Sequence, residues 1–142
     1  MAITQTLPTS FKVQLLNAQQ NFTSNTFKMA LYTSSATLDA TTTAYPAGNP
    51  FEVTGTGYTA GGNTLAVSVV PTSSGTTAYL SFSDTSWFTA TFTARGALIY
   101  NTSQSNAAVA IFDFGSDKAV VGGTFTVTFP AATSTTAVIR IA

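Results

Sequence analysis

The sequence predicts an all-β protein, an antiparallel β-sandwich or jelly roll of about eight strands with a short N-terminal arm or helix. Three observations predict this class. From residue 26 onward apolar and polar residues alternate with a period of two, as on strands with one buried face. Threonine, whose branched Cβ suits a strand, fills many of the polar positions. Glycine, proline and asparagine interrupt the runs at intervals of about 8–12 residues.

The N-terminal residues 1–25 are predicted to form an arm, and residues 26–142 the sandwich domain. Ser10 and its neighbours suit a helix start, because a hydroxyl can cap the first free N–H groups. A short helix is predicted over residues 10–20 by apolar residues at helical spacing, namely Phe11, Leu15, Ala18 and Phe22. Two roles remain open at this point. The helix closes one end of the sandwich, or Phe11 and Leu15 reach a neighbouring subunit.

The first strand is predicted where Phe27, Met29 and Leu31 alternate with smaller or polar residues. Residues 33–50 are small and polar and include two prolines, which predicts a long exposed loop. Such a loop is either a binding loop or a crossover between sheets. The glycines in residues 54–63 predict tight turns.

The remaining strands are predicted at apolar runs between turns, over residues 64–70, 77–83, 87–94, 97–100, 107–114, 123–129 and 136–141. Gly96 is expected to mark a bulge or bend within one longer run. Residues 107–114 are apolar on both faces, which predicts a central strand. The alternation of threonine with Phe125, Val127 and Phe129 predicts one exposed and one buried face.

The composition excludes much catalytic chemistry, because the chain contains neither histidine nor cysteine. Imidazole bases, thiolate nucleophiles and His or Cys metal ligands are therefore absent. The carboxylates are Asp39, Glu52, Asp84, Asp113 and Asp117. The nearest pair in sequence, Asp113 and Asp117, is expected in a polar turn whose side chains bind backbone amides, in preference to a calcium loop. No enzymatic activity, metal or cofactor is expected.

The charge also limits the classes of partner. Five basic and five acidic residues balance, and without a basic stripe nucleic acid is not an expected partner. No run is long and apolar enough for a membrane helix, so no membrane partner is expected. The first residues lack the features of a signal peptide, which predicts synthesis without general secretory export. Near-zero charge gives little repulsion between copies, which favours an assembled protein.

Two sets of side chains are candidate binding residues. Arg95 and Arg140 fall in mostly apolar runs, so each either pairs with a carboxylate such as Asp84 or makes a contact across a subunit interface. The aromatic side chains that suit stacking on a sugar ring are Tyr45, Tyr58, Trp87 and Tyr100. Core packing is the favoured interpretation of these aromatics.

Several segments resemble small virion structural proteins of tailed bacteriophages. They are FKMALYTSSATLDATTTAY, GTGYTAGGNTL, FTARGALIYN, AVAIFDFGSDKAVVGGTFTVTFP and TTAVIRIA, and the resemblance covers almost the whole chain. It implies a capsid cement (decoration) protein on the outer capsid surface of the virion, made in the host bacterial cytoplasm. Its implied partners are the major capsid protein and copies of itself on a symmetric shell.

Two other roles in a virion remain open. The first is a tail or fibre adhesin that binds host glycan through the loop 33–50 together with Tyr45, Tyr58 or Trp87. The second is a tail-tube or head–tail connector subunit, which assembles in rings.

Overall fold

The computed structural model describes residues 2–142 and confirms an all-β sandwich. Its elements in chain order are α1 Thr9–Leu16, β1 Phe27–Tyr32, β2 Asn63–Leu65, β3 Val67–Ser74, β4 Thr77–Phe82, β5 Thr85–Asn101, a 3-10 turn Thr102–Gln104, β6 Ala107–Val127 and β7 Ile139–Ile141. One sheet has the order β2-β1-β5-β6 and the other β3-β4-β7, with antiparallel pairing throughout.

The long β5–β6 hairpin is the frame of the molecule. Its turn follows Asn101, whose side-chain oxygen accepts a hydrogen bond from the Ser103 N–H at 2.9 Å. Ser105 and Asn106 then adopt positive φ angles and reverse the chain. The polar residues 101–106 therefore form the turn of this hairpin.

Both hairpin strands are longer than the sequence runs indicate. The predicted pieces 87–94 and 97–100 form one strand through Gly96, where a Cβ would lie 2.5 Å from the Phe112 carbonyl oxygen. The runs 107–114 and 123–129 likewise belong largely to a single strand with bulges, since Gly96 pairs with Asp113 and Ala94 with Lys118. Polar bulge residues hide this continuity from a periodicity argument.

The prediction that residues 107–114 form a central strand is wrong, because β6 lies at the edge of its sheet. Its first residues are nevertheless buried on both faces. The main core buries Val109, and a second core buries Ala108 and Ile111 on the other face. Two isolated bridges, Thr6 to Ile111 and Ala44 to Ala107, pair with the edge of the strand. Loop and N-terminal segments thus replace a neighbouring strand.

The main core lies between the two sheets and is rich in phenylalanine. Phe22 stacks on Phe27 with ring centroids 4.7 Å apart, and Phe82 meets Phe27 edge to face at 5.7 Å. Members of this core that are almost fully buried include Phe11, Phe27, Met29, Leu31, Ile99 and Val109.

A second core covers the outer face of the four-stranded sheet, and it corrects the prediction of an exposed loop at 33–50. Ala36 and Leu38 from this loop are buried against Tyr32 and Leu98. Ile3 joins them, and its segment bridges to Leu38. The loop therefore acts as a lid over the sheet, which explains why β1 is buried on both faces.

The N-terminal helix is shorter than predicted, ending at Leu16. Phe11 is fully buried in the main core, and Ala18 reverses the chain at a positive φ of 56°. In the described chain this segment packs on the sandwich, as expected if the helix closes one end of it. Among residues 2–142, no helix is long and apolar enough to cross a membrane.

Candidate interaction surface

The outer edge of β6 is the longest free strand edge next to an apolar surface. Ala44 pairs with Ala107 and Thr6 with Ile111 at the start of this edge, and beyond Ile111 no backbone segment within residues 2–142 pairs with it. The Phe129 N–H points inward and donates to Asp84 Oδ1 at 2.8 Å. Because backbone direction alternates along a strand, the N–H and C=O groups of Thr124, Thr126 and Thr128 point outward.

An apolar groove of about 610 Å³ runs beside this edge, between β6 and the segment that leads into β7. Its apolar walls are half-buried side chains, among them Leu7, Phe112, Phe114, Val127, Phe129 and Val138. A smaller depression of about 380 Å³ continues along β6 and shares Phe114 and Val127 with the groove. We call this continuous surface, together with the free edge, the β6 strip.

The predicted alternation at the end of β6 is confirmed and explains the strip. Thr124, Thr126 and Thr128 are exposed, whereas Phe125 and Val127 are half-buried. The second sheet has only three strands and ends at the short β7, so it leaves these apolar side chains partly uncovered. Residues 119–139 contain no charged side chain, and the charges that line the strip lie outside this run, with Asp113 and Arg140 at the groove and Lys118 at the smaller depression.

Arg95 pairs within the chain. Its Nε donates to Asp113 Oδ1 at 3.0 Å, so the carboxylate partner is Asp113 and the suggested Asp84 is wrong. The Gly115 N–H also donates to Asp113, at 2.9 Å. These two hydrogen bonds, the backbone one first, hold the pKa of the Asp113 carboxyl below its usual value. Asp113 therefore binds a backbone amide as expected, but the predicted turn is wrong, because residues 114–117 form a bulge within strand β6.

Arg140 lies exposed at the rim of the groove and donates to the Ser134 carbonyl oxygen at 3.3 Å. Of the two arginines, it is therefore the one with a side chain accessible to a partner. An interface role for Arg95 and Arg140 stays a prediction.

The two candidate interface residues of the helix have different positions. Phe11 has no exposed surface, so it is a core residue in this conformation and not an interface side chain. Leu15 is half-buried and lines a separate groove of about 330 Å³ with Phe22 and Ile139. The large apolar residue that the helix exposes most is Leu16, at 89%, and the helical pattern did not single it out.

The aromatic candidates for sugar stacking lie in the interior or partly in it. Trp87 is 3% exposed, and Tyr58 stacks against it with centroids 6.1 Å apart. Tyr45 stacks on the buried Tyr100 at 4.5 Å. These positions fit the favoured interpretation, in which the aromatic side chains pack in the protein interior. The exposed aromatic side chain of this region is Phe88, at 70%.

A buried carboxylate surrounded by tyrosines is the most polar feature of the interior. Glu52 is 6% exposed. Its Oε1 accepts hydrogen bonds from the Tyr58 hydroxyl and the Gly61 N–H, both at 2.7 Å, and its Oε2 accepts one from the Tyr45 hydroxyl at 2.8 Å. The Tyr58 hydroxyl in turn accepts the Leu31 N–H at 2.9 Å. We call Glu52 and the four tyrosines on which its charge acts the Glu52 cluster; these tyrosines are Tyr32, Tyr45, Tyr58 and Tyr100.

The tyrosines of this cluster resist ionisation. Burial first, and then the Glu52 charge, raises the pKa of Tyr100 to about 12. Burial is also the main reason that the pKa values of Tyr32, Tyr45 and Tyr58 are raised further, with Glu52 adding to the effect. Sequence reasoning named three of the four tyrosines as separate candidates or strand residues, but nothing in their spacing links them to Glu52.

The carboxylates are dispersed and engaged in structural contacts. Glu52 orders the loops around it, Asp84 accepts the Phe129 N–H at the end of β6, and Asp113 accepts the Gly115 N–H at a bulge within β6. Within the described residues, no group of three or more potential metal-ligating side chains comes together.

No protein-family model matches this chain, and no curated protein or solved structure is significantly similar to it. The β6 strip and the Glu52 cluster are therefore the features from which a function can be argued.

Proposed function

We propose that this protein is a non-enzymatic structural protein of a phage virion, a capsid cement protein that binds and stabilises the shell of the major capsid protein. The observation that carries the proposal is the β6 strip. It joins a free strand edge to half-exposed phenylalanine and valine side chains, and the run of residues 119–139 along it contains no charged side chain. Such a surface binds protein by area and backbone pairing.

Binding fits the polar groups better than catalysis does. The most buried carboxylate, Glu52, already accepts three hydrogen bonds from its own chain. Asp113 is engaged by Arg95 and a backbone amide. Neither group faces a nucleophile with an adjacent base, the arrangement that covalent catalysis requires.

The placement on a capsid rests on the resemblance of the sequence segments to phage virion proteins. A shell presents many symmetry-related copies of each binding site. Weak apolar contacts repeated over such a lattice give a high total affinity without one strong contact. A neutral protein also avoids repulsion between closely spaced neighbours.

Copy number per virion tests the proposal most directly. Quantitative mass spectrometry of virions that carry the protein is expected to find it at a ratio comparable to the major capsid protein, on the order of hundreds of copies. A count of tens or fewer would overturn the cement role and favour the fibre or connector alternatives.

A binding experiment separates the remaining alternatives. Purified protein is expected to sediment with shells of the same phage that lack it, and to raise their thermal disruption temperature. Phe114→Ser in the β6 strip is expected to weaken this binding, whereas Phe88→Ser, an exposed aromatic elsewhere, is the matched control. Binding to a glycan array with no binding to shells would contradict the proposal and favour an adhesin.

A further inference from the structure

The free end of β6 has the pattern of a strand that pairs with itself. We propose that residues 123–129 of two copies pair edge to edge and antiparallel across a two-fold axis. The inference rests on the proposed assembly role and names the surface through which copies of the chain associate. Its basis is the unpaired edge, the alternation along it and the absence of charge.

The backbone determines which side chains meet in such a pair. In an antiparallel ladder, residues whose N–H and C=O groups point outward must face residues that also point outward. For two identical strands this places threonine opposite threonine and apolar residues opposite apolar residues. The register that overlaps the whole run has Thr126 at the axis, with Thr124 facing Thr128 and Phe125 facing Val127 of the other copy.

A two-fold axis perpendicular to the sheet keeps both apolar faces on the same side. Phe125 and Val127 of one copy then cover those of the other, next to the groove in each. The β5–β6 hairpin of one copy continues into that of the other as four adjacent strands, because β1 pairs only with Gly96–Asn101, and the partly covered Phe114 moves into a common core. The second copy thus covers the apolar side chains of β6 that the short three-stranded sheet of its partner leaves partly exposed.

Within residues 123–129 the edge also lacks the charged and proline residues that commonly prevent such pairing. Exposed edges of monomeric proteins are commonly blocked by lysine, proline or inward-pointing charge. Residues 123–129 contain none of these, and Pro130 follows only after the run. Lys118 lies before it, beyond the bulge at Val121 and Gly122. Residues 123–129 offer no charged side chain with which a charged partner could form an ion pair, whereas an identical neutral strand can pair with them through the backbone and the apolar side chains.

Cysteine cross-linking gives a geometric test, because the natural chain contains no cysteine. Thr126→Cys places two thiols opposite each other at the axis, with Cα atoms about 5.5 Å apart, within the range that a disulfide spans. We expect a covalent dimer under mild oxidation for Thr126→Cys and much less for Thr124→Cys or Thr128→Cys. The control is Thr72→Cys, on the exposed edge strand β3 of the other sheet. Cross-linking of Thr126→Cys no faster than the control would overturn the proposed pairing.

Sedimentation equilibrium gives an independent test. The natural protein is expected to dimerise, and Thr126→Lys, which opposes two like charges at the axis, is expected to raise the dimer Kd by about 100-fold or more. Thr72→Lys is expected to leave it unchanged, and far-ultraviolet circular dichroism checks that both variants fold. A protein that is monomeric up to about 1 mM, or equal Kd values for natural protein and Thr126→Lys, would contradict the inference.

The two proposals fail separately. A chain that stays monomeric in solution yet occupies shells at high copy number overturns the edge pairing and leaves the cement role standing. A chain that dimerises through Thr126 but is present in tens of copies or fewer per virion does the reverse.

Discussion

Glu52 is a buried carboxylate with no cation within ion-pair distance in the described chain. Desolvation of such a charge costs several kcal/mol unless hydrogen bonds replace the lost water. Tyr45, Tyr58 and the Gly61 amide supply those bonds. One side chain therefore ties together the loop at 33–50, the glycine turns and strand β1, which is why its loss is expected to be costly.

Two substitutions of Glu52 are expected to distinguish the contribution of its side-chain shape to stability from that of its charge. Glu52→Ala leaves three buried or partly buried donors without their acceptor, and we expect a loss of about 3 kcal/mol or more in the free energy of unfolding. Glu52→Gln keeps the shape and one acceptor oxygen, so a loss of about 1–2 kcal/mol is expected. Urea denaturation followed by tryptophan fluorescence measures both. Equal stability of Glu52→Ala and the natural protein would contradict the structural role.

The tyrosines of the cluster predict how stability depends on alkaline pH. Their pKa values are raised in the folded protein, to about 12 for Tyr100, above an unfolded value of about 10. The folded state therefore retains protons that the unfolded state releases. Stability is full below about pH 10 and falls as the pH rises through the folded pKa values.

Unfolding and tyrosine absorbance test this together. Between about pH 10 and pH 12 the urea midpoint is expected to fall steeply, and tyrosinate absorbance near 295 nm is expected to rise with unfolding. Tyr45→Phe removes one ionising group and should make the decline shallower. A midpoint that stays constant to pH 12, or ionisation of more than one of the five tyrosines well before unfolding, would show that tyrosines of the cluster ionise freely in the folded state.

At the scale of elements, the glycine turns before β2 hold it against β1. Gly62 has a φ of 74°, and a Cβ there would overlap the Met29 carbonyl group. Gly75, at the turn between β3 and β4, has a similar φ of 59° but open space around it. Gly62 therefore requires glycine both for its positive φ and for its close approach to Met29, whereas Gly75 requires it for the positive φ alone.

The paired substitutions isolate the steric reason. Gly75→Ala is expected to cost about 1 kcal/mol, the usual penalty of positive φ for alanine. Gly62→Ala carries that penalty and must also displace β1, so a loss of about 3 kcal/mol or failure to fold is expected. Thermal unfolding compares the two. Equal losses would mean that β1 and the turn are not closely packed.

The helix α1 is likewise tied to the core through one residue. Phe11 is fully buried and meets Phe22 edge to face at 6.1 Å. We expect Phe11→Ala to cost about 3–5 kcal/mol, and Val13→Ala, on the exposed side of the same helix, about 0.5 kcal/mol or less. Chemical denaturation measures both values, and a mild effect of Phe11→Ala would favour a detachable arm. Deletion of residues 1–20 is expected to destabilise the fold and is therefore no clean test of capsid binding.

At the scale of the whole molecule, neutrality predicts how association responds to salt. The β6 strip has no charge between residues 119 and 139, so self-association there depends on apolar area and backbone pairing. We expect the dimer Kd to change by less than about twofold between about 50 mM and 500 mM NaCl. Sedimentation equilibrium at both concentrations measures this. A tenfold weakening at high salt would place the contact at a charged surface such as that of Arg140 or Lys118.

Local patterns determined the features that depend on neighbouring residues. The strand at Phe27–Tyr32, the alternation at Thr124–Phe129 and the turn after Asn101 were all predictable, because strand period and turn chemistry are properties of a few adjacent side chains. The strand ends were less predictable. Bulges at 114–117 and 121–122 interrupt the period of β6 without ending its pairing.

The sequence by itself determined an all-β sandwich with a threonine-rich, neutral surface and no histidine or cysteine chemistry. Only the tertiary structure decided that Phe11 is a core residue, that Leu38 covers a second core, and that Glu52 gathers its tyrosines. It also decided that β6 lies at an edge with its apolar face partly open. The reason is physical: burial and strand order depend on which distant segments meet, and periodicity reports only which face of a strand is apolar.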